Sequence, residues 1–413
     1  MRRSLRVVLA TIGSRGDVQP MLALAQALAA RGHVVRVAAP ANFEHWVRGL
    51  GFAFAPLGVD MQVYLSQNRS LMTGSTVKML REVFRYFKEQ VPAQALEFRS
   101  AAADADILVY GGLASFIAPS VAQCLGLPAL GVQFTTSLLP SSAHPPPVIR
   151  WHGLPGWLND LIWRVDRFLG NLLIRGTLNT MRAGFGLPPV ARVRDHLMQT
   201  CPLVLAVDET LFPPDPRWQG RYPYANFLYF ADATVLDPEL EAWLDAGEAP
   251  VFVGFGSMSG SGTDRIERLI IEALSGTGRR CIVGAGWAGL GAGQLPPDWR
   301  MVREAPHALL FPRMAVVVHH GGSGTVAQAL RAGVPQVLLP LILDQFHHAH
   351  LLYRAALAPR PIPMERITAA ELGAAIAAAL ALPPGPRQAA AVRLRASDGC
   401  ADLVQRIEAM VPL

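Results

Sequence analysis

The stretch that most constrains this chain is His319-His320-Gly321-Gly322-Ser323-Gly324-Thr325. Before it, Met314-Ala315-Val316-Val317-Val318 is a short β-branched run, suited to a buried strand. After it, Val326 to Arg331 reads as a helix closed by Gly333-Val334-Pro335. A glycine-rich turn between strand end and helix start leaves backbone N–H groups unpaired, and with the helix dipole these make a site for phosphate. Glycines let the backbone come close to a ligand, and a histidine at the lip adds a donor. The same spacing also fits a tight strand-to-helix turn with a histidine in the core. A second apolar run, Gln336 to Leu341, leads to Leu343-Asp344-Gln345, placing a carboxylate and an amide at another strand's carboxyl end. In an open parallel sheet that rim is where ligands bind.

At 413 residues the chain is about twice a typical domain, so two domains are expected. Half of it is apolar by composition, enough for two cores. Cys124, Cys201, Cys281 and Cys400 are scattered without ligand spacing, which argues for a reducing cytoplasm and against a disulfide or zinc framework. Residues 1–230 carry 22 Lys and Arg against 14 Asp and Glu, hence +8; the rest carries 15 against 17, hence −2. Only Lys78 and Lys88 are lysines. A basic first half favours an anionic membrane surface or an acidic ligand. No compact basic run with interleaved aromatics occurs, which argues against nucleic acid. Met1-Arg2-Arg3 and Leu5 to Ile12 mimic a signal peptide, but the apolar part is short, Arg6 interrupts it, and no cleavage site follows. Ile107 to Phe134 is long enough to span a bilayer, yet Gly111-Gly112, Pro119, Gln123 and Pro128 cut it into strand, helix and strand.

Along the chain, Arg6 to Ile12 reads as a strand, Gly13 to Asp17 as a turn, Val18 to Arg31 as a helix and Val34 to Ala38 as a second strand. Further strands are predicted at Phe52 to Phe54, Ile107 to Tyr110, Ala129 to Gln133, Leu203 to Ala206 and Asn226 to Tyr229. Ser137 to Pro147 is a proline-rich loop. Gly156 to Gly176 reads as an amphipathic helix with Trp157, Leu158, Leu161, Ile162, Val165, Phe168, Leu169 and Leu172 on one face, and Arg164, Arg167 and Arg175 elsewhere. That face packs on the core, lips an apolar cleft or contacts a membrane surface. The acidic stretch from Ala231 to Glu248 marks the junction. The second domain then opens with a strand, Val251 to Phe255, followed by Gly256-Ser257-Met258. Gln388 to Val411 reads as a final alanine-rich helix. The expected division is 1–230 for a first domain, 231–248 for a linker, 249–390 for a second domain and 391–413 for a terminal helix.

Gly284-Ala285-Gly286-Trp287-Ala288-Gly289 fits G-x-G-x-x-G after a strand, but Leu290 to Pro297 is rich in glycine and proline where a dinucleotide site needs a helix. Asp17, followed by Val18-Gln19-Pro20, reads as a helix N-cap.

His-His-Gly-Gly-Ser-Gly-Thr, Arg331-Ala-Gly-Val-Pro335 and Asp344-Gln345 appear in this order, and Gly13-Ser-Arg-Gly-Asp-Val-Gln-Pro20 stands near the start of the chain. Over nearly its whole length the chain resembles nucleotide-sugar glycosyltransferases of the GT-B fold. It is most similar to the branch of sterol glucosyltransferases, glycopeptide-antibiotic glycosyltransferases and lipid rhamnosyltransferases. The resemblance implies an α/β architecture of two Rossmann-like domains facing across a cleft, with the last helix crossing back to the first domain. It makes Asp17 the base that deprotonates the acceptor hydroxyl, a poor nucleophile until it loses its proton. An aspartate of pKa near ~4 is a weak base in water, and apolar surroundings raise it. Arg15, Ser257, His320, Gly321, Gly322, Ser323, Gly324 and Thr325 are then the diphosphate contacts, Trp287, Arg303 and His307 border the base, and Asp344 and Gln345 hold sugar hydroxyls. His320 stands eight residues before Gln328, the spacing that the family uses from its phosphate histidine to a ribose-binding glutamate; Gln328 departs from that glutamate. His319 is then a strand-end core histidine. His348 stands where the family often has asparagine.

The expected activity is inverting, metal-independent hexose transfer from a nucleotide sugar to a hydroxyl of a lipophilic acceptor such as a sterol, lipid or macrocycle. UDP-glucose is the expected donor, with dTDP-rhamnose as the alternative; a UDP-sugar 2-epimerase and a non-catalytic nucleotide-sugar-binding partner are the rivals. No cofactor beyond the donor and no metal is expected, His347, His348 and His350 included. The expected location is the cytoplasm, with peripheral contact at the inner face of a membrane left open.

Overall fold

The structure, a computed structural model, describes residues 4–67, 76–231, 234–256, 263–275, 278–286, 295–303 and 306–411. Two compact units divide the chain. The first comprises Met1–Pro146, Gly153–Ala231 and Asp398–Leu413, the second Pro147–His152 and Asp232–Ser397.

The first unit is built on six parallel strands: β1 (Arg6–Ile12), β2 (Val34–Ala39), β3 (Ala53–Pro56), β4 (Ile107–Gly112), β5 (Ala129–Gln133) and β6 (Leu203–Leu205). Their order is β3-β2-β1-β4-β5-β6, so the winding reverses between β1 and β4. Those two strands pair in register from Val7 with Ile107 to Ile12 with Gly112. The run from Ile107 to Phe134 is strand, helix (Ala118–Leu125) and strand, and β4 and β5 are buried over most of their length. Parallel strands covered on both faces carry such continuous apolar runs. Asn226 to Tyr229, expected as a strand, is an irregular segment; Ala225, Phe227 and Leu228 are buried there without a ladder.

The second unit has five parallel strands: β7 (Val251–Gly254), β8 (Cys281–Gly284), β9 (Trp299–Val302), β10 (Val316–His319) and β11 (Gln336–Leu338). The order β11-β10-β7-β8-β9 reverses between β7 and β10. The edge strand β9 carries no β-branched run and was not expected from the sequence. Residues 231–248, expected as a linker, carry instead the helix Pro238–Asp245, capped by Asp237. Its Leu240 and Leu244 lie in this unit's core with Phe252 and Ile282.

The expected terminal helix is two helices, Pro384–Arg395 and Gly399–Met410. The break separates the units, and the last helix packs in the first. Glu408 accepts from Arg31 (2.9 Å) and lies 3.2 Å from His33 Nε2, whose Nδ1 accepts from the Leu5 N–H. At the other end Gly399 lies against backbone carbonyls: a Cβ there would come within 2.3 Å of the Ala225 oxygen and 2.7 Å of the Asn226 oxygen. Carbonyls held by their own chain cannot retreat cheaply. Gly399→Ala should therefore destabilise the first unit by about 1–3 kcal/mol, as overpacking does. Gly385→Ala, with nothing within 4 Å of the added methyl, should be neutral or slightly stabilising. Calorimetric melting of the two variants beside the parent checks both, and equal melting temperatures would contradict this packing.

Candidate active site

In the first unit the site grows from the turn after β1. Ser14 caps the helix Arg15–Ala30, its hydroxyl accepting from the Gly16 N–H, while Asp17 at the third helical position closes a capping box. The helix thus starts three residues earlier than expected, and the cap is Ser14 rather than Asp17. Asp17 Oδ2 accepts from the Ser14 N–H (2.8 Å) and the Ser14 hydroxyl (3.3 Å). This fold-back requires glycine at 13, because a Cβ there would sit 2.2 Å from Oδ2. The other oxygen, Oδ1, faces Gly112 at the end of β4, 3.2 Å from where a Cβ would stand. Gly112 has φ +57°, left-handed backbone that favours glycine. The Phe134 ring lies over the neighbouring Gly111 (3.1 Å to a Cβ there). A half-buried carboxylate therefore sits at the switch point of the sheet, and a half-buried aromatic ring covers Gly111, the residue before Gly112. Arg15, expected at a diphosphate, places its guanidinium over the Trp46 ring, 4.8 Å from the centroid.

In the second unit the switch point brings Gly256, just past β7, to His320, just past β10: a Cβ on Gly256 would stand 3.6 Å from His320 Cε1. The imidazole lies over the start of the helix Ser323–Ala332, where a Cβ on Gly322 would meet His320 Nε2 at 2.5 Å. Gly322 is the N-cap and supplies no side-chain acceptor. The first-turn N–H groups of Ser323, Gly324 and Thr325 therefore have no partner within the helix. His320 Nδ1 is buried and, among the described residues, has no hydrogen-bond partner. Burial, with His348 as the lesser cause, lowers the His320 pKa to about 4, so the ring is neutral near pH 7. An unsatisfied imidazole nitrogen beside an uncapped helix start fits an anion carrying several acceptor oxygens.

The surrounding residues hold that turn. His319 is fully buried, and burial lowers its pKa to about 3. Its Nδ1 accepts from the Gly321 N–H (3.1 Å), so Nε2–H donates to Gln336 Oε1 (3.0 Å). His348 Nδ1 donates to the Gly321 carbonyl (2.8 Å), and its Nε2 lies 3.7 Å from Asp344 Oδ2. Gly321, at φ +93°, could not carry a Cβ without crowding Leu338 Cδ2 (3.2 Å) and the Gln345 carbonyl (3.3 Å). Leu343 (φ +49°) turns the chain into Asp344, which is partly exposed. Gln345, expected to present its amide oxygen to a sugar, directs Oε1 to the N–H groups of Leu341 (2.9 Å) and Ile342 (3.1 Å). That oxygen shapes the loop.

His307, expected to border a nucleotide base, stacks on Phe311 (centroids 4.3 Å apart, planes at 15°). Arg303 is exposed. Ser257 and Trp287 lie outside the described residues. Gln328 is half-buried on the helix Ser323–Ala332. Among the described residues no cluster of three or more His, Cys, Asp or Glu is placed to hold a metal ion. Gly112, Phe134, Gln336 and His348 were not assigned these roles from the sequence. Gly111-Gly112 at a strand end was the visible signal, since glycine there often marks close approach of another group.

Residues 7–128 match the glycosyltransferase family 28 N-terminal domain, and residues 282–410 match the erythromycin biosynthesis protein CIII-like C-terminal domain. The vancomycin aglycone glucosyltransferase of Amycolatopsis orientalis is 33% identical over 96% of this chain and 95% of its own. A sterol 3-beta-glucosyltransferase of Arabidopsis thaliana is 31% identical over 90% of this chain, which spans only 62% of that longer protein. Among solved structures, the glycotransferase of kitacinnamycin superposes with a TM-score of 0.74 over 99% of this chain and 100% of its own, at 20% identity. The chain therefore belongs to the glycosyltransferases of the GT-B fold, in the branch that holds the sterol glucosyltransferases and the glycopeptide-antibiotic glycosyltransferases.

Proposed function

We propose that this chain transfers glucose from UDP-glucose to a hydroxyl of a lipophilic acceptor, a sterol, lipid or macrocycle, by one inverting displacement without a divalent ion. The observation that carries the proposal is the neutral His320, with an unsatisfied buried nitrogen, beside the uncapped start of the helix Ser323–Ala332. The names of the sterol and vancomycin-aglycone relatives support glucose as the sugar and an apolar or macrocyclic acceptor.

Each unit has its part. In the second, His320 and the N–H groups of Ser323, Gly324 and Thr325 hold the diphosphate, and Asp344 takes sugar hydroxyls. As the anomeric C–O bond breaks, negative charge grows on the leaving diphosphate, and donors already aimed at it stabilise that charge without reorganising. In the first, Asp17 accepts the proton of the acceptor hydroxyl as its oxygen attacks the anomeric carbon from the opposite side, which inverts the configuration. Oδ2 accepts from Ser14, and Oδ1, which faces Gly112 at the end of β4, takes the proton. Phe134, whose ring covers Gly111 at the end of the same strand, offers an aromatic surface for an apolar acceptor.

Thermal unfolding with nucleotides tests the donor side. UDP at ~100 times its dissociation constant should add about 2.7 kcal/mol, and His320→Ala should remove most of that shift. Equal shifts in parent and variant would overturn the assignment of His320, and a larger shift with dTDP than with UDP would replace the nucleotide. Transfer should continue in EDTA, and an α-linked donor should give a β-linked product.

The depressed histidines also set a pH dependence. With folded pKa values of about 3 for His319 and about 4 for His320, against about 6.5 when unfolded, the unfolded chain binds more protons. Stability of the second unit is therefore full above about pH 6.5 and declines as the pH falls toward 4. His320→Ala should flatten that decline in a melting series between pH 7 and pH 4; an unchanged slope would contradict the burial of a neutral ring.

A further inference from the structure

The helix Gly156–Gly184 does not bury the apolar face that its periodicity displays. Trp157, Leu161, Val165, Phe168 and Leu172 are exposed, three of them to about two-thirds (69%, 66% and 66% for Trp157, Phe168 and Leu172). Their spacings of four, four, three and four residues align them as one stripe along the helix. Leu158, Ile162, Leu169 and Leu173, half-buried, widen it on one side. The helix is anchored from its other face, by Asn159, Trp163, Leu178 and Met181. Trp163 Nε1 donates to the His144 carbonyl (2.8 Å), and Asn159 Nδ2 donates to the Ser142 carbonyl (2.8 Å).

The charges beside the stripe indicate what covers it. Arg164 and Arg175 follow Trp157 and Phe168 by seven residues, so they run along one edge of the stripe, and Arg167 lies a further step around. All three are exposed, and no carboxylate pairs with them among the described residues. The two acids of the helix are already taken, Asp160 by Arg217 (2.6 Å) and Asp166 by Arg194. What remains is an apolar band carrying indole and phenyl rings, with a rim of positive charge that nothing answers. Interfacial helices have this pattern, with Trp and Phe at the boundary and arginines toward anionic headgroups. No described helix is long and apolar enough to cross a membrane, so the contact is with a surface. A second copy of the chain fits less well: stripe against stripe about a two-fold axis, arginine rims would meet with no free carboxylate between them.

We propose that the exposed face of the helix Gly156–Gly184 docks the protein on an anionic lipid bilayer. The inference does not rest on the donor or base assignments, and its test does not read activity.

The experiment is vesicle flotation of the full chain, with phosphatidylcholine vesicles and with mixed phosphatidylcholine–phosphatidylglycerol vesicles. The parent should float with the mixed vesicles at low ionic strength, and much less with phosphatidylcholine alone. Binding should weaken near 1 M salt, where the Debye length is ~3 Å. Phe168→Ser with Leu172→Ser should lower partitioning by roughly tenfold or more, from the lost apolar burial. Arg164→Gln with Arg167→Gln should lower it by roughly tenfold and reduce the salt dependence. Circular-dichroism melting of each variant establishes that it folds, and the arginine pair keeps the test decisive if the serine pair does not. A parent that ignores anionic vesicles at low salt, or folded variants that bind as well as the parent, would overturn the proposal. So would a parent that sediments as a dimer, is dissociated by the serine pair and does not bind vesicles.

Discussion

Close approach of polar side chains to bare backbone at strand ends is the constraint on which the Asp17 cluster of the first unit and the His320 cluster of the second each depend. At Gly13 the missing Cβ lets the Asp17 carboxylate fold back onto Ser14, and at Gly112 it lets the same carboxylate lie against the end of β4. At Gly322 the same economy of atoms admits the His320 ring. A methyl group at Gly13 or Gly322 would fall inside 3 Å of the functional side chain, so the glycines do more than permit turns. Both clusters stand where the winding of their own sheet reverses, β1 beside β4 and β7 beside β10. At such a point the connections leave in opposite directions and open a crevice at the strand carboxyl ends.

Around these points the protein sorts its polar groups between holding and reacting. His319, Gln336 and His348 hold the Gly321 peptide from both sides, through its N–H and its carbonyl. His320 keeps a buried Nδ1 without a hydrogen-bond partner among the described residues. Burial keeps the His319 and His320 rings neutral, since an imidazolium would lose more solvation than the site returns without an anion present. Gln345 is drawn into the holding set by its loop contacts, and Asp344 remains as the partly exposed acid.

The fold was legible because its signals are local. Apolar runs ending in glycine mark β1, β4 and β10, and the cuts at Gly111-Gly112, Pro119 and Pro128 correctly divided a membrane-length stretch into strand, helix and strand. Roles that depend on long-range partners were not legible: His348 reaches Gly321 across 27 residues, and nothing at position 348 announces it. The capping box shows how a local motif can mislead, because Asp17 reads as the cap and the geometry gives that role to Ser14. The helix Gly156–Gly184 shows a different limit. Its periodicity reveals an apolar face but not which side the protein covers, and Trp163, outside that face, is the buried anchor. Asn226 to Tyr229 is apolar enough for a strand but makes no ladder, since burial alone does not require pairing.

The central claim is that Asp17 closes the capping box and serves as the base at once, while nucleotide binding belongs to the other unit. Steady-state transfer by Asp17→Asn, measured beside its affinity for UDP, tests this most directly. The asparagine oxygen can still accept from the Ser14 N–H, so the helix start should survive and UDP affinity should match the parent. Transfer should fall by roughly 10²–10⁴-fold, the loss typical of a removed general base. A folded Asp17→Asn protein that binds UDP and turns over at near the parent rate would leave Asp17 a capping residue alone and contradict the account.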